Sequence, residues 1–177
     1  MNKAFVAAAA AAVLVFGVAG GAFAATLEEN EKKVFDEMSA LVPKDKVSSI
    51  DDLYAKWQEV QEKKSQALII DIRTHEEFDN GHLLASSNVD SGHAYQIVKS
   101  IVDQNAELWV LCRTKHRATY FGGMLVKYGY TNVHVVDGGI AGWAEKGYPL
   151  VNEYLGEIKV TKYNKRLKEE FMVREGH

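Results

Sequence analysis

Leu108-Trp109-Val110-Leu111-Cys112-Arg113-Thr114-Lys115-His116-Arg117-Ala118 decides how this chain is read. Its first four residues are a compact apolar run, the pattern of a strand buried on both faces. From Arg117 to Tyr128, Phe121, Met124, Leu125 and Tyr128 fall on one helical face. Gly129 is a suitable stop for that helix. A cysteine thus stands directly after a strand and directly before a helix. In open parallel sheets, sites lie at the carboxyl ends of the strands.

Outward from that stretch the alternation continues. Ala67 to Ile72 and Val133 to Val136 read as further buried strands. Ser48 and Ser49 are suitable helix starters, and Ile50, Leu53, Tyr54, Trp57 and Val60 form one apolar face up to the charged stretch Gln58 to Gln66. A helical turn is expected from His75 to Asp79. A helix is expected from Gly92 to Val102, with Ala94, Ile97, Val98, Ile101 and Val102 inward. Asp137-Gly138-Gly139 reads as a turn before a short helix from Ile140 to Lys146. Strands alternating with helices imply an α/β fold, a parallel sheet covered on both faces.

Upstream, Glu28 to Val42 reads as an acidic amphipathic helix closed by Pro43, with Val34, Phe35, Met38, Leu41 and Val42 on its apolar side. It is either an accessory helix on the core or a helix for a partner. The tail from Val151 to His177 is expected to hold one strand-like piece and a helix. The expected organisation is a leader over 1–24, an accessory helix over 25–47, the main domain over 48–150 and an extension over 151–177.

The leader reading rests on a short positive start ending at Lys3, an apolar run from Ala4 to Val18, and small residues up to Ala25. This is the pattern of a cleavable signal peptide, with cleavage after Ala24 and a periplasmic or secreted destination. The run is shorter than the roughly 20 apolar residues that span a bilayer, so no stable membrane insertion is expected after cleavage. The formal net charge of -3 offers no broad basic face for nucleic acid. One cysteine cannot form an internal disulfide, although exported chains commonly carry them.

A thiol followed by a short loop into a helix can hold an anion. Successive backbone N–H groups form a concave nest, and the helix adds free N–H groups and the positive end of its dipole. Arg113, Lys115 and Arg117 add full charges, His116 a partial one, and Thr114 lies among them. Such surroundings favour thiolate over thiol, against an unperturbed value near ~8.5.

At three separated places the chain resembles the rhodanese homology domain, from about Ser48 to Leu150. The first is Asp71-Ile72-Arg73-Thr74-His75-Glu76-Glu77-Phe78-Asp79-Asn80-Gly81-His82-Leu83. The second is the loop from Cys112 to Ala118. The third is Asp137-Gly138-Gly139-Ile140-Ala141-Gly142-Trp143 with Gly147-Tyr148-Pro149. The resemblance implies a five-stranded parallel sheet flanked by helices, with an extra N-terminal helix and a C-terminal tail here. It also implies Cys112 as nucleophile, with Arg113, Thr114, Lys115, His116 and Arg117 binding substrate. Asp71, Arg73 and His82 are expected to support the site: Asp71 and Arg73 by ordering loops through ion pairs, Arg73 with Glu77, and His82 by bonding backbone. Lys115 stands where the family prefers glycine, and would be strained if that position needed a positive φ. Leu84 and Asp90 replace common prolines.

Four residues separate Cys112 from Arg117. Tyrosine phosphatases use five, so the shorter loop suits a sulfur atom on the cysteine better than a phosphoryl group. The expected activity is transfer of a sulfane sulfur from thiosulfate or polysulfide through a Cys112 persulfide to a thiol or protein acceptor. A cationic loop suits those donors better than mercaptopyruvate. The exported location resembles that of single-cysteine periplasmic polysulfide-sulfur transferases, so a respiratory enzyme is a possible partner, as is a homo-oligomer. The alternative is a sulfur carrier that docks to a partner without turnover. No cofactor and no metal are expected; His75, His93, His116 and His134 show no tight ligand spacing.

Overall fold

The computed structural model describes residues 25–163 and 172–176. The leader over 1–24 lies outside them. Five short parallel strands form the central sheet: β1 (Val47–Ser48), β2 (Leu68–Asp71), β3 (Ser86–Asn88), β4 (Leu108–Leu111) and β5 (Val133–Val136), in the order β1-β5-β4-β2-β3. The helices are α1 (Leu27–Leu41), α2 (Ile50–Gln61), α3 (His75–Asp79), α4 (Ile97–Ser100), α5 (His116–Lys127) and α6 (Gly139–Glu145).

Side chains alternate across the sheet with a period of two. Leu108, Val110 and Cys112 join Ile70, Val133 and Val135 on one face, against Phe121 and Leu125 of α5. Trp109 and Leu111 join Ile69 and Val136 on the other, against Leu53 of α2 and Trp143 of α6. Cys112 therefore extends the strand's own alternation and enters the layer beneath α5.

Capping fixes where the helices begin. Ser49 caps α2 and Thr74 caps α3, each through a reciprocal box with the carboxylate three residues on. Thr26 and Glu29 do the same for α1. That helix lies against α5, and the approach is close enough to require glycine: a Cβ on Gly123 would stand 2.6 Å from the carbonyl oxygen of Met38.

Several expectations need correction. Ser48 belongs to β1, paired with Val136, and only Ser49 starts the helix. The single helix expected from Gly92 to Val102 is a 3-10 turn, Ser91–Gln96, followed by the one-turn α4. Val98 and Val102 are exposed, because the backbone becomes extended at Ile101. Tyr128 is also exposed, since α5 ends at Lys127 and Tyr128 lies beyond the packed face. The tail contributes three antiparallel strands rather than one, β6 (Leu150–Asn152), β7 (Gly156–Tyr163) and β8 (Met172–Gly176). The tail helix would fall largely on residues 164–171, which lie outside the described residues. Ile158 and Val160 of β7 add to the core beside α6.

Candidate active site

Cys112 follows β4 and sits below the loop that enters α5. It is buried, with 1% of its surface exposed. Its carbonyl oxygen accepts from the N–H of Ile140 at 2.9 Å, and that of Arg113 from Ala141 at 3.0 Å. The Asp137-Gly138-Gly139 turn thus does more than reverse the chain: it places the first turn of α6 as a donor pair under the cysteine loop. Gly138 and Gly139 have φ of 98° and 54°, a region where side chains are strained.

Lys115 is the N-cap of α5, and no side chain caps that helix. The first-turn N–H groups of a helix have no intrahelical acceptor, so with no side-chain cap they suit an incoming anion. Lys115 has φ −168°. This is extended backbone that any residue adopts, so the expected strain of a residue other than glycine is absent. The sequence signal for glycine concerned a conformation that this loop does not use.

The loop cations are answered by carboxylates. Arg117 donates to both oxygens of Glu77, at 2.7 and 2.8 Å. Lys115 Nζ lies 2.7 Å from Asp137. The guanidinium bonds hold the Glu77 carboxyl below its usual range, against the opposing effect of burial. The same bonds raise Arg117. The loop is therefore less positive than its sequence alone suggests. In return, two of its side chains are fixed in direction from outside the loop.

Arg73 does not pair with the Glu77 side chain, as expected, but with Asp71. Its Nε lies 3.0 Å from both Asp71 oxygens, and its Nη2 is 2.7 Å from Oδ2. Both residues are buried. Arg73 also donates to the carbonyls of Glu77 and Gly81, and Asn88 of β3 donates to those of Asp71 and Arg73. This cluster is a brace. It fixes the backbone of α3, and so aims the Glu77 carboxylate at Arg117. His82 stacks on Phe78 and places Nδ1 3.0 Å from the Phe78 carbonyl, the backbone role expected for it.

His116 turns outward to α1. Its ring stacks on Phe35 at 4.6 Å, and Nε2 lies 3.4 Å from Glu31. Glu31 also accepts from the Tyr120 hydroxyl at 2.6 Å, which pushes that group up to about 12. Thr114 is exposed and Arg113 is half-buried. The structure thus brings Cys112, Lys115 and Arg117 onto one bend with Glu77 and Asp137. Of the sequence-expected set it turns His116 toward α1. The sequence did not name Glu77, Asp137 or Gly139 as partners of the loop. The two motifs that contain them were the available signal.

The family model for the Rhodanese-like domain matches residues 52–146. Thiosulfate sulfurtransferase GlpE of Stutzerimonas stutzeri is 31% identical over 81 residues, covering 46% of this chain and 73% of that protein. GlpE of Pseudomonas putida is 28% identical over the same length. Among solved structures, a rhodanese-related protein from Thermoplasma volcanium is 25% identical, with TM-score 0.51 over 60% of this chain and 98% of that one. A protein of unknown function from Rhodopseudomonas palustris, described as a possible tyrosine phosphatase, is 17% identical, with TM-score 0.57 over 71% and 97%. The last likeness concerns the fold alone.

Proposed function

The chain belongs to the rhodanese-like domain family, a family of sulfurtransferases, and from that premise we propose that it moves a sulfane sulfur from thiosulfate or polysulfide through a persulfide on Cys112. The observation that carries the reading is the position of Cys112 under an uncapped helix N-terminus, with Lys115 and Arg117 on the same bend. In the first step the Cys112 thiolate attacks the outer sulfur of thiosulfate. The bond to the sulfonate sulfur breaks, and its electron pair leaves with sulfite. The new persulfide anion rests against the N–H groups of the bend, where preorganised donors stabilise charge. In the second step a nucleophile takes the outer sulfur, and the pair of the broken bond returns to Cys112 as thiolate. With cyanide the product is thiocyanate. The scheme is covalent catalysis in two halves.

Burial of Cys112 favours small donors over bulky ones. An exported location, inferred from residues 1–24, would place the protein where inorganic sulfur compounds are met directly, with a respiratory enzyme as a partner. The second reading, a persulfide carrier without rapid turnover, shares the same first step.

Intact-mass measurement tests the shared step. The full chain incubated with thiosulfate should gain one sulfur that cyanide removes, and Cys112→Ser should gain none. Absence of the gain, with both thiosulfate and polysulfide, defeats both readings. Fast thiocyanate formation favours the enzyme; stable loading with slow release favours the carrier.

A further inference from the structure

A groove of about 300 Å³ lies beside the cysteine loop, between α1 and α5. It is lined by Met38 of α1, by Arg117, Tyr120, Phe121, Met124 and Lys127 of α5, and by Ser91. Positions 117, 120, 121, 124 and 127 recur at the spacing of one helical face. The groove therefore follows α5 from its first turn to its last residue, about 15 Å at the helical rise. Its middle is apolar; Lys127 stands at one end, and Arg117, paired with Glu77, at the other. Its volume is at the small end for small-molecule sites. Met38 and Met124 give it adaptable thioether walls. The wall from α1 lies outside the residues that match the family.

We infer, resting on the sulfur-transfer reading above, that this groove holds the sulfur acceptor, and that the acceptor is a thiol whose apolar chain ends in an anion. The thiol end belongs at Arg117, on the same bend as Cys112. The chain lies along Phe121, Met124 and Met38, and the terminal anion meets Lys127. In the transfer, the acceptor thiol gives its proton to the Cys112 persulfide anion, and the thiolate so formed attacks the outer sulfur. The sulfur–sulfur bond breaks, Cys112 recovers the electron pair as thiolate, and the acceptor departs as a persulfide.

The test uses the full chain, thiosulfate as donor, and a series of mercaptoalkanoates from mercaptopropionate to mercaptoundecanoate as acceptors. The expected kcat/KM rises with chain length by up to about fourfold per methylene until the groove is filled. Met124→Glu should abolish that rise, and Lys127→Glu should weaken long mercaptoalkanoates but not the uncharged mercaptoalcohol of equal length. Both variants should keep the wild-type rate with cyanide. A flat dependence on chain length, with cyanide turnover intact, overturns the inference and leaves the sulfur-transfer reading standing. Should cyanide turnover itself be absent, calorimetry with octanoate reads the groove directly: binding lost in Met124→Glu supports it, and no binding overturns it. Dimerisation that Met124→Glu abolishes, without octanoate binding, assigns the groove to a second copy and also overturns it.

Discussion

A Cβ on Gly139 would stand 2.4 Å from the carbonyl oxygen of Cys112 and 2.8 Å from that of Arg113. Those two carbonyls are the acceptors of the Ile140 and Ala141 N–H groups. The closing turn and the cysteine loop therefore approach as backbone on backbone, and a side chain would part them. Gly139→Ala is expected to cost about 1–3 kcal/mol from its φ alone, and to slow sulfur loading by disturbing the loop. Gly156→Ala is the matched control, since Gly156 also has positive φ, 71°, yet among the described residues nothing lies within 4 Å of its Cβ. Denaturant unfolding should register both changes. Only the Gly139 variant should lose loading rate beyond its loss of stability, and equal loading in the two would refute the backbone argument.

The Glu77–Arg117 pair is half-exposed, so its direct contribution to stability is small, below about 1 kcal/mol. Its effect should fall on catalysis, because Glu77 aims the guanidinium by two bonds. Glu77→Gln should lower kcat/KM for thiosulfate by about tenfold, corresponding to ~1.4 kcal/mol in the barrier, while moving the unfolding midpoint little. The acid limb supplies a second readout. The Glu77 carboxyl is depressed, chiefly by Arg117. The pair is therefore intact above the ordinary carboxylate value near ~4.3, and is lost as pH falls through the lower folded value. Wild-type activity should keep a shoulder in that window that Glu77→Gln lacks.

The main strands were legible because they are buried on both faces and so written as apolar runs, Leu108 to Leu111 above all. β1 and β3 were not. Val47–Ser48 and Ser86–Asn88 are two and three residues long at the sheet's edges, and backbone pairing rather than side-chain pattern creates them. The same limit applied at the site. Cys112 and its loop could be read from order along the chain. The partner of Arg73 could not, since Asp71 and Glu77 are both within reach of an arginine at the end of a strand. Only the direction of β2 puts the Asp71 carboxylate inside, at 0% exposure, and leaves Glu77 facing α5.

Lys115→Gly restores the residue favoured in the resembling loops, and is expected to make the protein worse. The extended φ of Lys115 needs no glycine, and glycine gives up more backbone freedom on folding, about 0.5–1 kcal/mol. The variant also loses the 2.7 Å contact with Asp137. The expected result is an unchanged or slightly lower melting temperature and a higher KM for thiosulfate. A higher melting temperature together with a lower KM would mean that lysine is tolerated there rather than used.

Removing one member of the Asp71–Arg73 brace should be more damaging than any change on the loop surface. Arg73→Met keeps much of the volume but leaves the fully buried Asp71 without its guanidinium, and removes the bonds to Glu77 and Gly81. Breaking a buried pair in this way typically costs about 3–5 kcal/mol. Chemical denaturation should show a loss in that range, with loading of Cys112 reduced in step because Glu77 is no longer aimed. A loss below about 1 kcal/mol would place the pair with ordinary surface bridges.

His134 supplies a pH dependence that is separate from the site. Its ring stacks on Trp109 at 4.3 Å, bonds Ser48 Oγ at 2.9 Å and meets Lys46 Nζ at 3.2 Å. Burial and then Lys46 depress its affinity for a proton, against the opposing pull of Glu107. With the folded value below the unfolded one near ~6.5, the unfolded chain binds the proton more readily as pH falls. The stability due to neutral His134 is therefore complete above that unfolded value. It declines below it, until the folded value is reached. Melting temperatures from neutral toward mildly acid pH should fall more steeply for the wild type than for His134→Gln, which cannot titrate. Parallel curves would show that the β1–β5 edge is insensitive to this proton.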